Sequence, residues 1–146
     1  MSRTHQAVYL SFVVALSWLS GGCSQEYPAT FPVTGVLTID DVPAPNIIIT
    51  YASKTGNPSA IGRTDADGKY VLTTYKPKDG AMPGECVVLL VPDDLEMGDG
   101  NLTLKELALA QKSKVPFRYF EKETSDLVVQ VHSDNPNNHV LKIQSQ

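Results

Sequence analysis

The chain has 146 residues, 42% of them hydrophobic and 19% charged, with a formal net charge of −4. That balance excludes a disordered or collagen-like chain and fits one domain with appendages. Lys and Arg never gather into a basic run, which excludes nucleic acid as a partner, and the mild acidity reads as a solvated surface.

Met1-Ser-Arg-Thr-His5 is a short, positive start, followed by the apolar run Ala7–Leu19. A bilayer core needs about 20 residues of helix, so this run has the length of a signal h-region rather than a comfortable span. A buried N-terminal helix is the alternative. The small residues Ser20-Gly21-Gly22 ahead of Cys23 argue against it, because a signal peptidase fits small side chains beside the bond it cuts. This run resembles the bacterial lipobox, in which the cysteine becomes the lipidated first residue. It departs from that pattern in one place: Leu19 lies one position too far from the cysteine, and Ser20 stands where leucine is usual. Lipidation of Cys23 is the expected use. Ordinary cleavage nearby, an uncleaved anchor, and a disulfide to Cys86 are the alternatives. No Asp follows Cys23, which points to the outer rather than the inner membrane. With Cys23 lipidated, Cys86 reads as a small buried hydrophobe.

The organisation expected is a lipoprotein signal peptide over 1–22, a lipidated N-terminus and polar tether over 23–32, and a β domain over 33–146. Val33–Ile39 is β-branched and bounded by turn residues, so it predicts a strand, with Asp40-Asp41-Val42-Pro43 as its turn. Asn46–Tyr51 is a second strand with Ile47 and Ile49 on the buried face. Ala60–Arg63 enters the turn Thr64–Gly68, and Lys69–Tyr75 alternates out of it. Lys76–Gly84 is a long turn-rich loop, and Cys86–Val91 is the most apolar strand, hence central. A helical excursion is expected over about 93–116. Thr103 and Glu106 have capping-box spacing, Leu104, Leu107, Ala108 and Gln111 share a face, and Pro116 ends it. Asp126–Val131 and His139–Ile143 finish the chain, with Asn135–Asn138 expected as the hairpin between them. Seven short strands with one short helix before the last two favour an all-β sandwich.

Several stretches in order carry a resemblance. Pro32-Val-Thr-Gly-Val-Leu-Thr-Ile-Asp-Asp-Val-Pro43 resembles the opening strand and turn of carboxypeptidase regulatory-like (transthyretin-like) domains, and Gly62-Arg-Thr-Asp-Ala-Asp-Gly-Lys-Tyr70 resembles their T-D-x-D-G hairpin. Thr73–Glu85, Val115–Phe120 and Thr124–Leu127 look like the planctomycete-type surface lipoproteins built on that domain. The resemblance covers most of residues 32–131. Asp41 stands where the family usually has Gly, and Cys86 where an aromatic is common. It implies a seven-stranded Greek-key sandwich of the transthyretin/prealbumin kind and no particular activity. Hydroxyisourate-type hydrolases of that fold end in Tyr-Arg-Gly-Ser, whereas residues 142–146 read Lys-Ile-Gln-Ser-Gln.

Asp65 and Asp67 are weak candidates for calcium. An EF-hand loop counted from Asp65 puts Lys69, Tyr70 and Lys76 where an oxygen ligand, a glycine and the bidentate Glu belong. A capped turn with Gly68 at positive φ explains the same residues better. His132 and His139, flanking a hairpin beside Ser133 and Asp134, read as surface-loop residues, since a triad needs groups converging from separate places. No nucleophile-elbow, Walker or zinc motif is present. An intramolecular Lys–Asn crosslink lacks its Lys in the first strand. Tyr51, Tyr70, Tyr75, Tyr119 and Phe120 could stack on carbohydrate, but strand aromatics more often pack the core.

The expected function is therefore a lipid-anchored, non-catalytic module of the cell envelope, without a cofactor. Its partners are the membrane, through the N-terminal lipid, and envelope proteins or polysaccharide. A carbohydrate- or calcium-binding accessory domain with a site in the Lys76–Gly84 loop is the alternative.

Overall fold

A computed structural model describes residues 26–93, 103, 106, 114–134 and 136–145. The expected signal peptide, Cys23 and most of the expected helix lie outside the described residues. The capping box itself forms: Glu106 accepts from the Thr103 amide and hydroxyl at 2.8 Å each, and its own amide donates to the Thr103 hydroxyl at 3.3 Å.

The fold is all-β. Its strands are β1 (Val33–Ile39), β2 (Val42–Pro43), β3 (Ile47–Ser53), β4 (Ala60–Arg63), β5 (Lys69–Val71), β6 (Gly84–Pro92), β7 (Val128–Val131) and β8 (Asn137–Ile143). A 3-10 turn occupies Phe117–Tyr119. One sheet runs β4-β3-β6-β7, antiparallel throughout. In the other, β1 is central. Its full length pairs in parallel with β8, from Val33↔Asn137 to Ile39↔Ile143. Its other edge is shared end to end by β5 and β2, both antiparallel.

Strict alternation places Val33, Leu37 and Ile39 of β1 on the buried face. They meet Ile47, Ile49 and Tyr51 of β3, Val88 and Leu90 of β6, and Leu141 and Ile143 of β8 in one core fed by both sheets. Full burial of each Val, Leu or Ile contributes about 1.5–3 kcal/mol, so this core outweighs every polar contact described below. The central placing of the Cys86–Val91 run is borne out: β6 lies between β3 and β7.

Three local expectations are corrected. The Lys69–Tyr75 strand stops at Val71, and beyond it only Thr73 bridges, to Ile61. The reason is Asp79, whose carboxylate gathers the amides of Thr74, Tyr75 and Lys76 at 2.7, 2.9 and 2.9 Å and curls the chain into a compact loop. The Asn135–Asn138 segment is not a hairpin, because β7 and β8 belong to different sheets. Asn137 makes the crossover. Its buried amide accepts from the His132 N–H at 2.8 Å, donates to the His132 carbonyl at 2.9 Å, and reaches the Pro32 carbonyl at 3.5 Å. It satisfies a backbone residue that has left its sheet and ties it to the entry of β1. The expected tether is docked from Tyr27 onward. Phe31 and Ala81 exchange backbone hydrogen bonds at 2.8 and 3.0 Å, and the Tyr27 ring stacks on Tyr75 with centroids 4.5 Å apart.

Candidate functional site

The most concentrated polar chemistry among the described residues lies between the sheets. Tyr51 points inward from β3, Tyr70 from β5 and His139 from β8. The Tyr51 hydroxyl is 2.8 Å from the Tyr70 hydroxyl and 2.8 Å from His139 Nδ1. Tyr70 also donates to the His139 backbone carbonyl at 3.3 Å. The Tyr51 and His139 rings stack at 5.7 Å with 15° between their planes. His139 is thus half-buried within a strand, which corrects its reading as a surface-loop residue; His132 is exposed.

The proton order follows from the partners. The His139 ring donates to the Gln130 backbone carbonyl, which leaves Nδ1 to accept from Tyr51, and the single Tyr70 proton lies between two acceptors, the Tyr51 hydroxyl at 2.8 Å and the His139 carbonyl at 3.3 Å. Burial holds the imidazole below its usual pKa, so it is neutral. Burial also pushes the Tyr70 phenol up to about 12, with the Tyr51 hydrogen bond opposing, and pushes Tyr51 higher still. Both phenols stay protonated at physiological pH. A phenol in that state is a poor base, and each hydroxyl of the cluster has its partners within it. The cluster works as a polar strut joining three strands.

Gly35 makes room for it. A Cβ on Gly35 would overlap the Tyr70 hydroxyl and the His139 carbonyl oxygen. Sequence reasoning found the Val33-Thr-Gly-Val motif and both tyrosines but not their union. The available signal was the inward register of Tyr51 and Tyr70; His139 carried none, because β8 was assigned to the wrong neighbour.

Asp65 and Asp67 share the turn between β4 and β5. Asp65 Oδ1 accepts from the amides of Asp67 and Lys69, each at 2.9 Å, and its backbone pairs with Lys69 and Gly68. Asp67 is exposed and lies 3.2 Å from the Lys69 ammonium. Among the described residues no three His, Cys, Asp or Glu side chains gather to hold a metal. Cys86 is buried in β6 as a free thiol, its pKa raised by that burial.

Two surface depressions flank the β4–β5 seam and the docked segment. A groove of about 470 Å³ is floored by Ile61, Val71 and Pro77 and edged by Arg63, Lys69 and Lys78. Arg63 is engaged by Asp93 at 2.5 Å and Asn46 at 3.1 Å. A second hollow of about 320 Å³ lies where residues 26–30 cross Tyr75, Lys76 and Asp79. Of the aromatics considered for carbohydrate, Tyr51, Tyr70, Tyr119 and Phe120 are buried in the core, and Tyr75 is half-buried under Tyr27. No helix among the described residues is long and apolar enough to cross a membrane. No family model, curated protein or solved structure matches the chain.

Proposed function

We propose that this chain is a lipid-anchored, non-catalytic module of the cell envelope, structural or mediating contacts with envelope proteins or polysaccharide. The observation that carries the reading is the position of Cys23, directly behind an apolar run and Ser20-Gly21-Gly22, and just ahead of a β domain that begins at the docked Tyr27. Support for a non-catalytic role comes from the polar groups themselves. Tyr51, Tyr70 and His139 are spent on one another, and the Asp65 and Asp79 carboxylates on backbone amides. The finer fold reading, a Greek-key sandwich of the transthyretin-like, carboxypeptidase regulatory-like kind, belongs to the same proposal, with the two-residue β2 as an eighth strand beside the seven expected. Chain crossings between the sheets after β2, after β4, after β5 and after β7 support it.

Mass spectrometry of the protein isolated from its native membranes tests the anchor. Acyl chains on Cys23 as the new N-terminus are expected, with Cys23→Ser released to the soluble fraction. An unmodified N-terminus at another residue overturns the reading. Density separation of the two membranes should place the protein in the outer one, since Ser24 follows Cys23.

A further inference from the structure

The docked segment has a geometric consequence if Cys23 carries the lipid, and the inference below rests on that anchor. Four residue steps separate Cys23 from Tyr27. At no more than about 3.6 Å per residue, the anchor lies within roughly 14 Å of the Tyr27–Tyr75 stack. Tyr27 is not a free end of a long leash. It is stacked on Tyr75, and Phe31, four residues on, pairs backbone to backbone with Ala81. The domain therefore cannot turn freely over the bilayer.

We propose that residues 26–32 and the loop 73–80 beneath them form the bilayer-facing end of the domain, in contact with the phosphate headgroups. The chemistry of this end suits that surface. Tyr27 is 39% exposed, and tyrosines partition to the headgroup region, where an apolar ring and a polar tip are both accommodated. Lys76 lines the hollow beside the stack and Lys78 follows two residues on in the same loop; both are exposed, and neither belongs to an ion pair formed among the described residues. Asp79, the acidic neighbour, is turned inward onto three amides rather than toward a headgroup. Glu26 is the remaining acidic group lining the hollow, and the Lys76 ammonium lines it too. Ammonium groups are drawn to an anionic leaflet. The opposite end of the domain carries the Asp40-Asp41 turn. The seven residues of β1 separate the two ends by roughly 20 Å.

The full-length lipoprotein, reconstituted in vesicles of phosphatidylethanolamine and phosphatidylglycerol with brominated acyl chains, tests this. Trp18 lies in the segment removed with the signal peptide, so a single introduced tryptophan reports alone. Tyr75→Trp should be quenched several-fold more than Val42→Trp at the far end. Tyr27→Ala should narrow that difference by freeing the domain, and Lys76→Glu with Lys78→Glu should narrow it without undocking the segment. Equal quenching at the two positions, or stronger quenching of Val42→Trp, overturns the orientation. Acylation is read on the same sample. Unacylated Cys23 overturns the anchor and this inference together, whereas acylated protein with equal quenching overturns only the inference.

Discussion

The Tyr70 hydroxyl fills the space that a side chain on Gly35 would occupy. The two residues sit opposite each other on β1 and β5, and the missing Cβ lets the phenol reach Tyr51. Gly35→Ala forces a shift of Tyr70 and of the His139 carbonyl, which is backbone and cannot rotate away. Overpacking of this kind costs about 1–3 kcal/mol, and the upper end is expected here. Tyr51→Phe leaves the Nδ1 acceptor of the half-buried His139 without its phenol donor, at about 1–3 kcal/mol. Urea denaturation of the two variants checks both. A Gly35→Ala protein as stable as the parent would show that the strut is not packed as described.

His139 makes stability depend on pH in a defined window. Its folded pKa lies below the ordinary value of 6.5, chiefly through burial, with the Gln130 carbonyl opposing. The unfolded chain therefore takes up a proton before the folded one does. Stability is fully present above about pH 6.5 and is lost as pH falls through the folded pKa. The His139→Gln variant should flatten that slope. A nuclear magnetic resonance titration of the ring should give a midpoint below 6.5, and a midpoint above it would contradict the buried, neutral imidazole. A second loss is expected lower. Burial raises the Asp79 pKa, but the amide donors outweigh it and hold the carboxyl below its ordinary value, so its contribution is fully present above about pH 4 and is lost as pH falls below that through the folded pKa.

Strand existence was legible in the sequence because β-branched residues between turn signals marked Val33–Ile39 and an unbroken apolar run marked Cys86–Val91. The crossover was not. Asn135-Pro-Asn-Asn138 has the composition of a turn, and composition does not say whether the next strand returns to the same sheet. That choice is made by Asn137, a polar side chain acting as backbone, and by the Leu141 and Ile143 face matching Leu37 and Ile39 in register. The truncation of β5 was hidden for a similar reason, since Asp79 acts on residues four and five positions earlier. Residues 24–32 looked like a tether because they are polar and Pro-interrupted. Their docking depends on one ring stack and one backbone bridge, neither of which has a periodicity.

Cys86 lies in β6 opposite Ser53 and is 4% exposed. A thiol reagent should label it slowly in the folded protein and completely after denaturation, because burial both blocks access and disfavours the thiolate. Cys86→Ser should cost about 1–3 kcal/mol by placing a hydroxyl where no strong partner waits. Rapid labelling of the folded chain would place the residue on the surface.

The Asp40-Asp41 turn offers a stabilising substitution. Both residues are left-handed, with φ of 53° and 61°, between the register pairs Ile39↔Val42 and Thr38↔Pro43. This is a two-residue hairpin loop of the type that prefers Gly at its second position. Asp40 is held by the Ser145 hydroxyl and by the Ser145 amide, which together account for its lowered pKa and for keeping Asp there. Asp41 has only a long, exposed contact with Lys142 at 3.5 Å. Asp41→Gly should therefore stabilise the domain by about 0.5–1 kcal/mol, raising the melting temperature by a few degrees. An unchanged or lower melting temperature would show that the Lys142 contact outweighs backbone strain.

The Thr64–Lys69 turn separates a structural role for its carboxylates from a calcium site. Gly68 has φ +73°, and a Cβ there would meet the Leu37 carbonyl at 2.5 Å and the Ala44 amide at 3.0 Å. Left-handed strain and a backbone clash therefore act together, and Gly68→Ala should cost more than about 1 kcal/mol. Asp65 comes next. Its Oδ1 holds two amides, so Asp65→Ala should destabilise measurably, while Asp65→Asn keeps an oxygen in place and should cost little. Asp67 is exposed, and Asp67→Asn should be nearly silent. A calcium site would reverse this order, because removing either charge would strip most of the attraction for a divalent cation. With Asp65 Oδ1 already facing two N–H donors and Lys69 beside Asp67, added calcium should leave the melting temperature where chelator leaves it. A calcium-dependent rise that Asp65→Asn and Asp67→Asn abolish would overturn the turn as a purely structural element and make it a ligand site.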